Sequence, residues 1–145
     1  MVERIGSFRG EYAFLSNFYP AEVTYKGLTY LSNEAAFQAQ KTLDEEEKAA
    51  FAGMQPKEAK ARGRRVLLRK DWEQVKDGIM EEIVRAKFSQ HPDLKEQLLS
   101  TGDAELVEGN AWNDRYWGVD LRTGKGRNRL GIILMKVRSE LKNEG

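Results

Sequence analysis

A mainly α, multihelical fold with one short β-hairpin near its start is what the sequence predicts, on three observations. Apolar residues Trp72, Val75, Ile79, Met80, Ile83, Val84 and Phe88 recur at helical spacing and make one long stripe. Helix-start residues precede most of the remaining polar-apolar segments: Ser32, Asp44, Pro56, Pro92 and Asn128. Only one pair of β-rich runs, "AEVTY" and "LTYLS", flanks a tight-turn dipeptide, Lys26-Gly27. At 145 residues with 40% hydrophobic and 32% charged residues, the chain has the size and balance of a single domain, 1–145, with its own core.

The elements follow in order. After an irregular opening comes the hairpin, then a helix through "NEAAFQAQKTL" with Ser32 as its N-cap. Asp44 followed by Glu47 is a capping-box pattern for "EEEKAAFAGM", and Pro56 suits the first turn of "PKEAKARGRRVLL". The long stripe after Asp71 is core. "HPDLKEQLLSTG" predicts a short helix with Pro92 in its first turn and Gly102 at its end. From Glu108 to Gly126 no period survives, and a last helix starts from an Asn128 cap with Leu130, Ile133, Leu134, Val137 and Leu141 inward.

Composition narrows the chemistry. Twenty-four basic against twenty-three acidic residues give a net charge of +1, so any anion-binding surface must be local. With no cysteine and one histidine, thiolate catalysis, disulfides and Cys/His metal centres are excluded, and no metal or cofactor is expected. The N-terminal "MVERIGSFRG" is too polar for a leader and no long apolar run follows, so the chain reads as cytoplasmic, with no membrane partner. Its oligomeric state has no signature.

Half of the fourteen aromatics fall in two irregular segments. Tyr12, Phe14, Phe18 and Tyr19 surround "FLSNFYP", and Trp112, Tyr116 and Trp117 surround "NDRYWG". Rings mixed with Asn, Asp, Ser and Gly can sandwich a flat polar ring and hydrogen-bond its edge, as a nucleobase requires; the competing reading is that they pin loops to the core. Glu34, Gln38 and Lys41 fall within about 60° of one another around a helix axis, so a carboxylate and an ammonium could bracket a sugar. The alternative is a solvated polar face opposite Ala35, Ala36 and Ala39.

"GVDLRTGKGRNRLG" is not a P-loop, because its spacing is wrong and Gly follows Lys125. Its glycines, basic residues and Asn-capped helix nonetheless suit a phosphate, against the alternative of a plain connection. The basic run Lys57, Lys60, Arg62, Arg64, Arg65, Arg69 and Lys70 reads as a solvated face that could meet phosphates. His91 reads as a cap neighbour. Aromatic walls, carboxylates and a phosphate loop together suit cleavage of an N-glycosidic bond, which builds positive charge on the sugar and needs anions near C1′; Glu34 and Asp114 are available.

The ordered set "FLSNFYP", "SNEAAFQAQK", Gly63-Arg64, "DWEQVKDGIM", "AKFSQHPDLKEQLLSTGDAELVE", "NDRYWG" and "GRNRLGIILMKVR" resembles the NADAR (NAD- and ADP-ribose-associated) family, of the YbiA-like type, over nearly the whole chain. The resemblance implies a metal-free N-glycosidase with a mainly helical fold. Its substrate would be a small nucleotide-like molecule, a ribosylamine 5′-phosphate intermediate of riboflavin biosynthesis, or alternatively ADP-ribosylated guanine in nucleic acid. A non-catalytic ADP-ribose-binding module is the reading from another class. It also implies Glu34, Lys41 and Asp114 as catalytic residues, with Phe14, Asn17, Phe18 and Trp117 contacting base or sugar. Ser32, Gln38, Gly118 and Asn128 complete the expected binding set. Many members carry histidine after the glutamate, where this chain has Ala35, which bears on substrate range.

Overall fold

The computed structural model describes residues 2–144, and among them the fold is mainly helical with a few very short strands. Internal packing divides the chain into two compact units, residues 17–90 and residues 2–16 with 91–144.

In the first unit β2 (Val23–Tyr25) and β3 (Leu28–Tyr30) pair antiparallel, Val23 opposite Tyr30. Lys26 and Gly27 both take positive φ, 50° and 88°, as a two-residue hairpin turn with the strands' twist demands. The hairpin lies on α4 (Trp72–Gln90). Gln90 there satisfies both backbone groups of Thr24, each at 2.9 Å, so the strand edge is closed by a side-chain amide. The predicted stripe of α4 is buried at Trp72, Met80, Ile83, Val84 and Phe88.

Three helices of this unit end earlier than their sequence pattern. Ser32 caps α1 (Asn33–Ala39) through its hydroxyl, which accepts from Ala35 N at 3.1 Å, but the helix stops before Lys41. Lys41 N turns back to Gln38 O at 3.2 Å, and Lys41 O accepts from Arg69 N at 2.8 Å, so a distant strand of chain takes the carbonyl that a longer helix would have used. Asp44 caps α2 (Glu45–Ala50) as expected, and a 3-10 turn, Phe51–Gly53, follows it. Pro56 opens α3 (Pro56–Gly63), which packs on α1; residues 64–70 leave the helix with Leu67 and Leu68 exposed.

The other unit holds β1 (Arg4–Ile5), a 3-10 turn at Gly10–Leu15, α5 (Pro92–Ser100), β4 (Glu105–Leu106), β5 (Gly109–Asn110), β6 (Val119–Asp120) and α6 (Arg129–Asn143). β1 pairs parallel with β4, and β5 parallel with β6; sequence patterns gave no sign of either pair. α6 packs on β4 and α5 with Leu130, Ile133, Leu134, Val137 and Leu141 buried, as predicted. Asn128 does not cap it by side chain. It sits at φ 51° and spends its amide on the β4 segment instead. No helix among the described residues is long and apolar enough to cross a membrane.

Candidate functional site

The expected residues form two groups, one in each unit. In the unit of residues 17–90, the expected solvated face of α1 does not exist: Glu34 and Gln38 are buried along with the alanines. Glu34 N donates to Asn17 O at 3.0 Å, which fastens the "SNFYP" segment to the first turn of α1. Gln38 Nε2 donates to Glu34 Oε2 at 2.7 Å and so fixes the carboxylate. The amide is held in turn by α3, where Gly63 lies so close that a Cβ there would fall 1.9 Å from Gln38 Oε1.

Lys41 follows α1 with its Nζ 6.0 Å from the Trp72 ring centroid, and Trp72 stacks at a tilt on Phe37 with centroids 5.1 Å apart. Burial holds the Lys41 amine below the ordinary lysine range, Glu34 opposes that shift, and the cations Arg64, Lys60 and Lys76 add to it. Asn17 is buried with its amide against Met80 Sδ at 3.5 Å, whereas Phe18 is 42% exposed. Lys60 Nζ stands 5.8 Å from the Phe18 centroid.

Lys87 is a residue that sequence reading passed over. It lies on the buried stripe of α4, with Nζ 5.4 Å from the Tyr19 ring and 5.1 Å from the Phe88 ring, and burial brings its pKa down to about 7. Its place beside Val84 and Phe88 in the apolar period was the available signal.

In the other unit Asp114 organises its own loop. Asp114 Oδ1 accepts from Tyr116 N at 3.1 Å and Trp117 N at 3.0 Å, and Asn113 before it takes φ 66°. Both amide bonds fall on one oxygen, which leaves Oδ2 for a ligand. Tyr116 and Trp117 meet edge to face at 4.8 Å, with Arg127 5.2 Å from the Tyr116 centroid.

Two further residues, Glu108 and Asn110, hold this loop and were absent from the expected set. Asn110 is fully buried: its Oδ1 accepts from Asp114 N at 3.0 Å, and its Nδ2 donates to Asp114 O at 2.9 Å and Glu108 Oε2 at 3.0 Å. Gly118 abuts the same carboxylate, 2.0 Å from where a Cβ would stand. Asn128 joins the set structurally, with Oδ1 accepting from Glu108 N at 3.0 Å and Nδ2 donating to Leu106 O at 2.9 Å. Phe14 is buried in the 3-10 turn and lines a cavity of about 420 Å³ with Ile5, Tyr12, Gln97 and Thr101.

Residues 7–142 match the NADAR domain. The chain belongs to the NADAR domain family. N-glycosidase YbiA of Escherichia coli is 43% identical over 134 residues, which cover 90% of this chain and 82% of that protein. An N-glycosidase of Nostoc punctiforme is 40% identical, covering 91% of this chain and 87% of that one. A riboflavin biosynthesis protein of Vibrio vulnificus is 42% identical over 90% of this chain but only 36% of its own length. The solution structure of Escherichia coli YbiA superposes with a TM-score of 0.87 at 40% identity, over 99% of this chain and 88% of that chain. The helical fold expected of a NADAR protein is therefore the one this chain has.

Proposed function

We propose that this NADAR chain is an N-glycosidase that hydrolyses the bond between C1′ of a ribose 5′-phosphate and an amine nitrogen, with ribosylamine 5′-phosphate intermediates of riboflavin biosynthesis as its substrates. The observation that carries the reading is the buried Glu34 carboxylate, clamped by Gln38 and followed by a lysine whose amine burial makes easier to deprotonate. The names of the Escherichia coli and Vibrio vulnificus relatives support the reaction and the substrate class respectively.

In the reaction the C1′–N bond breaks with its electron pair going to nitrogen, and positive charge spreads over C1′ and the ring oxygen. A fixed carboxylate stabilises that charge without reorganising. Water adds to C1′, gives up one proton, and the nitrogen departs protonated. Glu34 supplies the anion at C1′ and Asp114, through Oδ2, the second carboxylate for proton transfer. In the covalent form of the reaction neutral Lys41 replaces water in the first step: it attacks C1′ of the ring-opened sugar imine, the substrate's nitrogen leaves as the protonated amine, and water then hydrolyses the Lys41 Schiff base to release the sugar and restore the amine. Phe18 and Trp117 supply flat faces for the base.

The exposed cations Lys57, Arg62, Arg65 and Lys70 favour a second reading, removal of ADP-ribose from guanine in nucleic acid. Purified protein incubated with each substrate class separates the two. Release of ribose 5-phosphate from the ribosylamine substrate is expected; release of ADP-ribose from modified nucleic acid alone selects the second reading, and saturable binding without turnover of either leaves a binding module.

A further inference from the structure

We propose that Lys60 and Arg64 form the subsite for the substrate's phosphate, for which the sequence offers the glycine-rich segment 118–131 as one of two readings of that segment. The inference rests on the ribose 5′-phosphate reading above and assigns where its dianion is held.

Lys60 lies on α3 and Arg64, its C-cap, keeps right-handed helical backbone angles, so the two side chains stand one turn apart on one face. Ala59 and Gly63, the residue before each, are both buried, and Gly63 abuts the Gln38 amide that clamps Glu34. The paired cations thus flank the seam where α3 meets the catalytic end of α1. Lys60 also stands over the face of the exposed Phe18 ring, which gives a base-stacking surface and a phosphate ligand to the same edge.

Charge balance points the same way. Arg64, Lys60 and Lys76 each lie near enough to weaken the Lys41 amine's hold on its proton, while Glu34 strengthens it. Lys76 has its own partner in Glu73 at 2.7 Å. Arg64 is exposed and makes no ion pair among the described residues. An exposed guanidinium fork one helical turn from a lysine is suited to a bidentate dianion.

The glycine segment is built differently. Gly126 is where it is because a Cβ would fall 2.2 Å from Gly118 O, so its missing side chain serves a backbone-to-backbone approach. Arg127 stacks on Tyr116, Arg122 lies 3.6 Å from the buried Asp120 carboxylate, and Asn128 is committed to Glu108 and Leu106.

Calorimetric titration with ribose 5-phosphate tests the assignment without relying on turnover. Lys60→Gln/Arg64→Gln should weaken its binding roughly tenfold or more, since each lost charge-assisted contact is among the stronger polar ones. Lys125→Gln/Arg127→Gln should leave it within about twofold, Arg127 being engaged with the Tyr116 ring. Arg64→Lys should recover part of the loss, which a merely structural role would not require. The reverse pattern between the two double variants, or no binding of ribose 5-phosphate by the wild type, overturns the assignment. If binding follows Lys60 and Arg64 while no N-glycosidic substrate is cleaved, the phosphate subsite stands and the N-glycosidase reading falls.

Discussion

Glu34 and Asp114 were legible as residue types in irregular or helix-start sequence, but what holds each was not. The neutralising variants separate chemistry from scaffold. Glu34→Gln keeps a polar group beside Gln38, and Asp114→Asn keeps an oxygen for the Tyr116 and Trp117 amides. Each should lower turnover by roughly a hundredfold or more with an almost unchanged melting temperature. Asp114→Ala should in addition lose the turn and destabilise the fold by about 1–3 kcal/mol. Near-normal turnover in both conservative variants would remove the carboxylates from the reaction.

Lys41 and Lys87 are tested through their amines. If Lys41 reacts covalently, borohydride added during turnover should fix a sugar on its peptide, and Lys41→Arg should be almost inactive although the charge is kept. For Lys87 the folded state holds its proton less tightly than the unfolded chain, whose lysine value is near 10.5. Between about pH 7 and that value the unfolded chain therefore carries more protons, and stability should rise with pH, by at most about 1.4 kcal/mol per unit. Lys87→Met should flatten that rise, being relatively most stabilised below pH 7 and losing its advantage toward pH 10. Parallel curves for variant and wild type would show that the lysine is solvated.

At the scale of elements, the hairpin was readable because its decisive information is local. Lys26 and Gly27 set the turn, and the turn sets the register. The ends of α1 and α3 were not, because they depend on residues far along the chain: Arg69 N takes the Lys41 carbonyl, and Gly63 gives space to Gln38. Asn128 misled for a related reason, a good capping side chain being claimed by Glu108 and Leu106. The α1–α3 seam predicts that Gly63→Ala should uncouple activity from stability. The new methyl meets the far end of a flexible amide, which can swing away at modest cost, but in swinging it releases Glu34. Turnover should fall at least tenfold with a loss of stability near 1–2 kcal/mol, measured by denaturation alongside kinetics. Equal activity in the variant would mean that the Gln38 clamp does not matter.

Across the whole molecule, the helical class followed from periodicity, whereas the parallel pairs β1–β4 and β5–β6 were invisible. Two-residue strands are too short to show a period, and their partners are non-local. Glu108 and Asn110 were hidden with them, since a buried asparagine on so short a strand and the half-buried glutamate just before it look like loop. The reaction written for the whole chain uses carboxylates and an amine. Turnover should therefore survive EDTA unchanged; loss in chelator with recovery on adding a divalent ion would show that Glu and Asp side chains hold a metal.

The bond from Arg69 N to Lys41 O, 2.8 Å long, also has a mechanical meaning. Residues 64–70 form an arm that is exposed at Leu67 and fastened at its far end to the peptide carrying the Lys41 amine. A pull on that arm, whether from an anion gripping Arg64 or from a trypsin-like protease drawing one of its arginines into a cleft, is delivered to the backbone of Lys41. The arm is thus a lever as well as a surface, and a nick within it would slacken the mooring of the Lys41 backbone.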